Sequence, residues 1–239
     1  MPAVAVDASA DGCQAKQRQG RQNASVKNRS MITGGVALFG GSFNPIHMGH
    51  LIAARSVGEH LAVNRVVLIP SASPPHKRGE ELADAADRLE MARLAVADDP
   101  FFTVSDVEVR RSGPSFTVWT VEQYRRELGP QVPLYWIIGA DSLPELHSWF
   151  RIAELVELCD IVTAVRPGYD TPDLAPLRQV LPPEKVQRLS DSVLPTPRID
   201  ISATEIRQRI RTHRPVRYLV PERVREYIEQ RRLYKVPSS

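Results

Sequence analysis

Apolar residues along this chain fall into two alternating patterns. Short unbroken runs, Val36-Ala37-Leu38-Phe39, Val66-Val67-Leu68-Ile69-Pro70, Leu134-Tyr135-Trp136-Ile137-Ile138 and Ile161-Val162-Thr163-Ala164-Val165, each close on Gly, Pro or polar residues. Runs of this kind predict strands buried on both faces, as in a parallel sheet. Between them the apolar positions switch to a helical period. Met48, Leu51, Ile52, Ala54, Val57 and Leu61 form one stripe, with Arg55 and Glu59 on the opposite side. Further helices are predicted over 83–96, from the GPSFT stretch through Leu128, over 152–158, and at the end of the chain over 203–211 and 222–231, with one more strand around 102–107. Residues 169–200 are rich in Pro and show neither period. Strands separated by helices imply right-handed crossovers, hence an α/β fold with one doubly wound, mostly parallel sheet and a small helical C-terminal part.

The pattern begins only near residue 33, and charge divides the chain at the same place. Residues 1–30 hold five Lys and Arg against two Asp and Glu. That excess equals the net +3 of the whole chain of 239 residues, and the remainder carries 26 of each sign. The expectation is a disordered basic tail over 1–32 and a single folded domain over 33–235. The neutral body has no whole-domain footprint for nucleic acid, so none is expected as a partner. An organelle transit peptide is the alternative reading of the tail. The two cysteines, Cys13 in the tail and Cys159 before an apolar run, make neither a disulfide framework nor a zinc pattern. No apolar run approaches a membrane span and no secretory core precedes the domain, so the cytoplasm is expected and a membrane is not.

Candidate chemistry concentrates where the first strand meets the first helix, in Gly40-Gly41-Ser42-Phe43-Asn44-Pro45-Ile46-His47-Met48-Gly49-His50. The Gly pair predicts a sharp turn, and helix starts after strand ends in doubly wound folds are anion sites. His47 and His50, three apart in a first helical turn, can share one face and donate to phosphate oxygens, while Gly49 removes a side chain that would crowd a ligand. As metal ligands the pair lacks a third partner, its neighbours being Ser42 and Asn44. A second stretch, Asp200-Ile201-Ser202-Ala203-Thr204-Glu205-Ile206-Arg207, reads as a helix start. Ser202 and Glu205 fit a capping box and Ile201 and Ile206 a hydrophobic staple, which leaves Thr204 and Arg207 for an anion. Asp141 or Ser142, after the third long run, is placed to cap the next helix. The chain has no G-x-x-x-x-G-K-[ST], G-x-G-x-x-G or G-x-S-x-G, which argues against P-loop hydrolases, dinucleotide hydride transfer and esterases.

GGSFNPIHMGH together with ISATEIR resembles the nucleotidylyltransferase superfamily, with its H-x-G-H and I-S-x-T-x-x-R signatures. Adding PPHK at 74–77, GPSFT at 113–117, IIGADSL at 137–143 followed by Trp149, and VRPG at 165–168, the chain resembles the bacterial nicotinate-nucleotide adenylyltransferases over about residues 33–233. The resemblance implies a Rossmann-like nucleotidyltransferase fold and transfer of AMP from ATP, accompanied by Mg²⁺, to nicotinate mononucleotide. It implies His47, His50 and Arg207 as catalytic residues. Gly41, Ser42, Phe43, Gly139, Asp141, Ile201, Ser202 and Thr204 would bind ATP, and Lys77, Thr117 and Trp149 the nicotinate nucleotide, with no resident metal. Two departures stand out: Asn44 where many members carry Asp, and Trp119 where a polar residue is usual. Trp119 either packs in the core or borders the acceptor pocket, and Trp149 has core filling as its own alternative. The competing readings are another nucleotidylyltransferase, such as a pantetheine-phosphate adenylyltransferase, and a non-catalytic nucleotide-binding protein.

Overall fold

The computed structural model describes residues 34–74, 82–165 and 173–235. The tail over 1–32, Lys77 and the stretch 166–168 lie outside the described residues. Six strands form one sheet: β1 (Val36–Gly41), β2 (Arg65–Pro70), β3 (Phe102–Val104), β4 (Leu134–Gly139), β5 (Asp160–Val165) and β6 (Val193–Pro195). Their spatial order is β3-β2-β1-β4-β5-β6, and every pairing is parallel. Among the described residues seven α-helices accompany them: α1 (Met48–His60), α2 (Ala85–Ala95), α3 (Thr117–Leu128), α4 (Ile152–Leu158), α5 (Pro183–Asp191), α6 (Ala203–Arg211) and α7 (Glu222–Gln230).

Successive strand side chains point to opposite faces, so each strand feeds two cores. Val36, Leu38, Val67, Ile69, Leu134, Trp136 and Ile138 pack with Val118 and Val121 of α3, Leu155 of α4 and Leu189 of α5. Ala37, Val66, Leu68, Ile137 and Val162 pack on the other face with Val57 of α1, Met91 of α2, Ile206 of α6 and Val224 and Ile228 of α7. The C-terminal helices therefore close the same face as α1. They are also fastened there by polar contacts: Tyr227 Oη and Arg231 Nε donate to Asp87 Oδ1 at 2.8 and 3.2 Å, and the Met48 N–H donates to the Leu219 carbonyl at 2.9 Å.

The Pro-rich stretch contains α5 and the edge strand β6, which the sequence pattern leaves unassigned. Proline occupies the first turn of α5, where a missing N–H loses no helical bond, so Pro182-Pro183 opens a helix here. The expected strand over 102–107 stops at Val104. Beyond it the Ser105 Oγ accepts from the Val107 N–H at 3.4 Å, a local turn that bends the chain out of the ladder.

The strand order reverses between β1 and β4, neighbours whose helical connections leave in opposite directions. Ligands of doubly wound sheets bind beyond the carboxyl ends of strands at such a switch point. Gly41 and Gly139 end the two strands there.

Candidate functional site

The turn after β1 is built differently from its expected form. Gly40 and Gly41 lie inside the strand, and neither has a positive φ; the left-handed residue is Phe43, at φ 45°. The glycines serve close packing instead. A Cβ on Gly40 would lie 2.4 Å from the Trp136 ring on β4, and one on Gly41 3.1 Å from the Phe43 ring. An aromatic residue at positive φ is unfavourable by about 1–2 kcal/mol. Phe43 is fully buried, with edge-on ring contacts to Phe39 at 5.5 Å and His50 at 5.2 Å, and this burial offsets the strain.

Three carbonyls of the turn are held from outside. Gly41 accepts from the Ser71 N–H at 2.9 Å, Ser42 from Arg88 Nη1 at 2.7 Å, and Asn44 from Arg207 Nη1 at 2.9 Å. In a trans peptide the following N–H points the opposite way. The N–H groups of Ser42 and Phe43 are thereby turned away from these clamps, and no acceptor among the described residues meets them.

His47 and His50 cap α1 reciprocally. His47 Nδ1 accepts from the His50 N–H at 3.4 Å, and His50 Nδ1 accepts from the His47 N–H at 3.2 Å. This is the arrangement of a capping box, made by two imidazoles. Each Nδ1 is thereby taken up as an acceptor, which leaves Nε2, at the far side of each ring, as the nitrogen that can donate. The rings stack with centroids 3.6 Å apart. Packing already favours Gly49: a Cβ there would press on His47 Nδ1 at 3.1 Å and lie 3.6 Å from the Ile201 carbonyl.

That second distance places the start of α6 beside the start of α1. Ser202 Oγ caps α6 by accepting from the Glu205 N–H at 3.1 Å, half of the expected box; the Glu205 carboxylate lies 3.9 Å from Arg209. Ile206 is fully buried and Ile201 packs against the same core, as the staple requires. Arg207 makes two hydrogen bonds among the described residues, to the Asn44 carbonyl and, at 3.4 Å, to Thr204 Oγ1. A guanidinium has five N–H donors, so others remain for an anion.

Gly139 and the exposed Asp141 stand across the switch point, with Asp141 Oδ1 only 2.4 Å from where a Gly139 Cβ would be. The expected cap does not form. Ala140–Ser142 is a single 3₁₀ turn without a side-chain cap, and the next α-helix begins at Ile152. Thr117 opens α3 and Trp149 ends a second 3₁₀ turn. Their segments touch through their neighbours: Phe116 stacks on Phe150 at 4.4 Å, and Trp119 meets both edge-on, at 5.0 and 5.7 Å. Trp119 thus belongs to an aromatic cluster at the mouth of α3, while half-buried Trp149 also packs on the first core.

Two polar residues escape sequence reasoning. Arg88 on α2 is 1% exposed and bonds only to carbonyls, those of Ser42, Ser71, Ala72 and Ala83. Burial lowers its affinity for the proton relative to a free guanidinium, with Tyr234 and Asp84 opposing. Buried Glu108 accepts from Thr120 Oγ1 at 2.7 Å, and desolvation pushes its carboxyl above the usual range, with the Thr120 and Ser115 side chains and the Arg111 charge opposing. The available signal for Arg88 was a charge three and four residues before the apolar positions Met91 and Ala92, on the buried stripe.

Residues 38–209 match the family described as cytidylyltransferase-like. A probable nicotinate-nucleotide adenylyltransferase of Moorella thermoacetica is 42% identical over 202 residues, covering 84% of this chain and 92% of its own. The corresponding protein of Roseiflexus castenholzii is 45% identical over 205 residues, covering 86% and 100%. Among solved structures, Plasmodium falciparum nicotinic acid mononucleotide adenylyltransferase complexed with NaAD superposes with a TM-score of 0.63 at 15% identity, over 84% of this chain and 97% of that one, a likeness of fold. With both signature stretches inside the matched region and two helix starts meeting at the switch point, the chain belongs to the cytidylyltransferase-like family and, within it, to the nicotinate-nucleotide adenylyltransferases.

Proposed function

We propose that this protein transfers AMP from ATP to nicotinate mononucleotide, forming deamido-NAD and pyrophosphate. One observation carries the reading. The His47–His50 stack and Arg207 converge on one turn, and Arg207 is tied to that turn through the Asn44 carbonyl. A phosphate oxygen of the acceptor attacks the α-phosphorus of ATP in line. The bond from that phosphorus to the bridging oxygen breaks, and its electron pair leaves with pyrophosphate. The nucleophile belongs to the substrate, so the protein's part is to hold two anions in line and to offset charge as it moves to the leaving group.

The residues divide that task. Nε2–H of His47 and His50 donates to the triphosphate, with the N–H groups of Gly41, Ser42 and Phe43 beside it. Ile201, Ser202, Thr204 and Arg207 meet the β- and γ-phosphates from the start of α6. Gly139 and Asp141 flank the nucleotides across the switch point. Thr117 offers its N–H to the nicotinate carboxylate, Trp149 a ring face to the pyridine, and Lys77 a charge to the acceptor phosphate. Mg²⁺ enters with ATP, as a hard cation held by phosphate and water oxygens; among the described residues no group of three or more His, Cys, Asp or Glu is placed to hold a metal ion. No helix among them is long and apolar enough to cross a membrane. We place the reaction in the cytoplasm.

The test is a parallel assay of pyrophosphate release from ATP with nicotinate mononucleotide, nicotinamide mononucleotide and phosphopantetheine. Nicotinate mononucleotide is expected to give the highest kcat/KM. A clear preference for phosphopantetheine, or no transfer to any acceptor, would overturn the reading.

A further inference from the structure

A continuous chain of polar contacts runs through the protein from the triphosphate turn to the start of α3. It begins at Arg88, whose Nη1 donates to the Ser42 carbonyl at 2.7 Å and to the Ser71 carbonyl at 2.6 Å, and whose Nη2 donates to the Ala72 carbonyl at 3.2 Å. The first of these belongs to the turn after β1. The other two belong to the loop after β2. The opposite edges of the same two loop peptides are also taken: the N–H groups of Ala72 and Ser73 donate to Ser115 Oγ at 3.1 and 3.2 Å. Arg88 and Ser115 therefore grip the peptides 71–72 and 72–73 from both sides, and the geometry of a trans peptide makes each hold depend on the other.

Ser115 is held through both its side chain and its backbone. Its hydroxyl oxygen accepts twice, its N–H donates to the Ser73 carbonyl at 3.1 Å, and its side chain favours the charged form of nearby buried Glu108. Glu108 accepts from Thr120 Oγ1 at 2.7 Å, and Thr120 Oγ1 accepts from Arg111 Nη1 at 3.2 Å. Thr120 lies in the first turn of α3, three residues after Thr117. The connection leaves ATP's turn, crosses the β2 loop and ends where the acceptor's carboxylate would sit.

We propose that Ser115 is a positioning residue which, joined to Arg88 through the β2 loop that both grip, sets the start of α3, two residues further on, in register with the triphosphate turn, so that the acceptor nucleotide is aligned with ATP. The inference rests on the adenylyl-transfer reading above. A hydroxyl so placed touches no reacting atom. It acts by fixing the distance between two bound anions, and a misplacement of about 1 Å between reacting groups can lower rate about 10²-fold.

The unmodified enzyme is assayed first with ATP and nicotinate mononucleotide; no turnover refutes the reaction itself. Given turnover, Ser115→Ala should lower kcat/KM for nicotinate mononucleotide about 10²-fold, mainly through the acceptor KM, with the KM for ATP changed by less than about twofold. Ser115→Thr, which keeps the hydroxyl, should restore most of the loss. Arg88→Lys keeps the charge but has no planar fork to reach three loop carbonyls, and should raise both KM values, because Arg88 holds both loops. An unchanged acceptor KM in Ser115→Ala, equal rises of both KM values in that variant, or failure of Ser115→Thr to rescue would refute the brace and leave the reaction standing. Should Arg88→Lys not fold, the two Ser115 variants alone decide.

Discussion

The two halves of the candidate site are made of different materials. The proposed ATP side, the β1–α1 turn with the start of α6, is polar and pinned: two capped helix starts, a stacked imidazole pair, and carbonyls held by Ser71, Arg88 and Arg207. The proposed acceptor side, the start of α3 with the segment after β4, has two short 3₁₀ turns without side-chain caps and an aromatic cluster of Phe116, Trp119 and Phe150. A triphosphate carries several charges and rewards fixed donors. A pyridine ring with one carboxylate rewards a flat apolar face and a single N–H. The difference predicts that variants on the ATP side act on turnover and ATP, and variants on the acceptor side on the second substrate alone.

The strongest way to break that division is His50→Ala. Loss of one transition-state donor lowers turnover about 10²–10³-fold. The substitution also removes the cap on the His47 N–H, which costs about 1 kcal/mol and should lower Tm by about 2–4 °C for a domain of this size. Circular dichroism should therefore show a folded protein with little activity. Near-normal kcat would remove the imidazole pair from the chemistry. Next in size is Arg207→Ala. A hydrogen bond to a charged group contributes about 1.5–3 kcal/mol, so the KM for ATP should rise at least about tenfold by the corresponding constant. The KM for nicotinate mononucleotide should stay constant; if it rises equally, the two sides are not separable.

On the acceptor side, Trp149→Ala should raise the KM for nicotinate mononucleotide about tenfold, as expected for one lost base-stacking face, and leave the KM for ATP unchanged. Trp149 also packs against the first core. A drop in Tm without the selective KM change would assign it to packing and leave the pyridine without its ring partner.

This division also decides what the sequence could disclose. On the proposed ATP side the candidates are side-chain types at fixed spacing, and the structure brings His47, His50, Ser202 and Arg207, which that spacing singles out, to two adjacent helix starts. The strands of the sheet interior were legible for a related reason: burial on both faces demands unbroken apolar runs. Where backbone geometry carries the structure, the pattern misled. The Gly40-Gly41 pair looked like the turn, yet it accommodates the Trp136 and Phe43 rings, and the turn's left-handed residue is a buried phenylalanine. Asp141 or Ser142 looked like a cap, but both lie inside a 3₁₀ turn, and the next α-helix begins only at Ile152. Arg88 was not singled out at all; its partners are carbonyls, which every residue has and which no sequence pattern marks.

The smallest expected effect sharpens the comparison at the join between the two sides, where Glu108 is buried with a carboxyl held above the ordinary range by desolvation, against the opposing hydrogen bonds of Thr120 and Ser115 and the charge of Arg111. The unfolded chain loses this proton near 4.5, the ordinary value, and the folded protein only at higher pH. Between the two values the folded state binds more protons than the unfolded one, so stability falls as pH rises through that window and stays lower above it. Glu108→Gln has no proton to lose. Its Tm should therefore fall less than that of the parent as pH is raised from 4.5 to 8. Thermal scans across that range measure it directly. Parallel Tm curves for parent and variant would mean that Glu108 titrates as an ordinary carboxylate, whose charge burial does not disfavour.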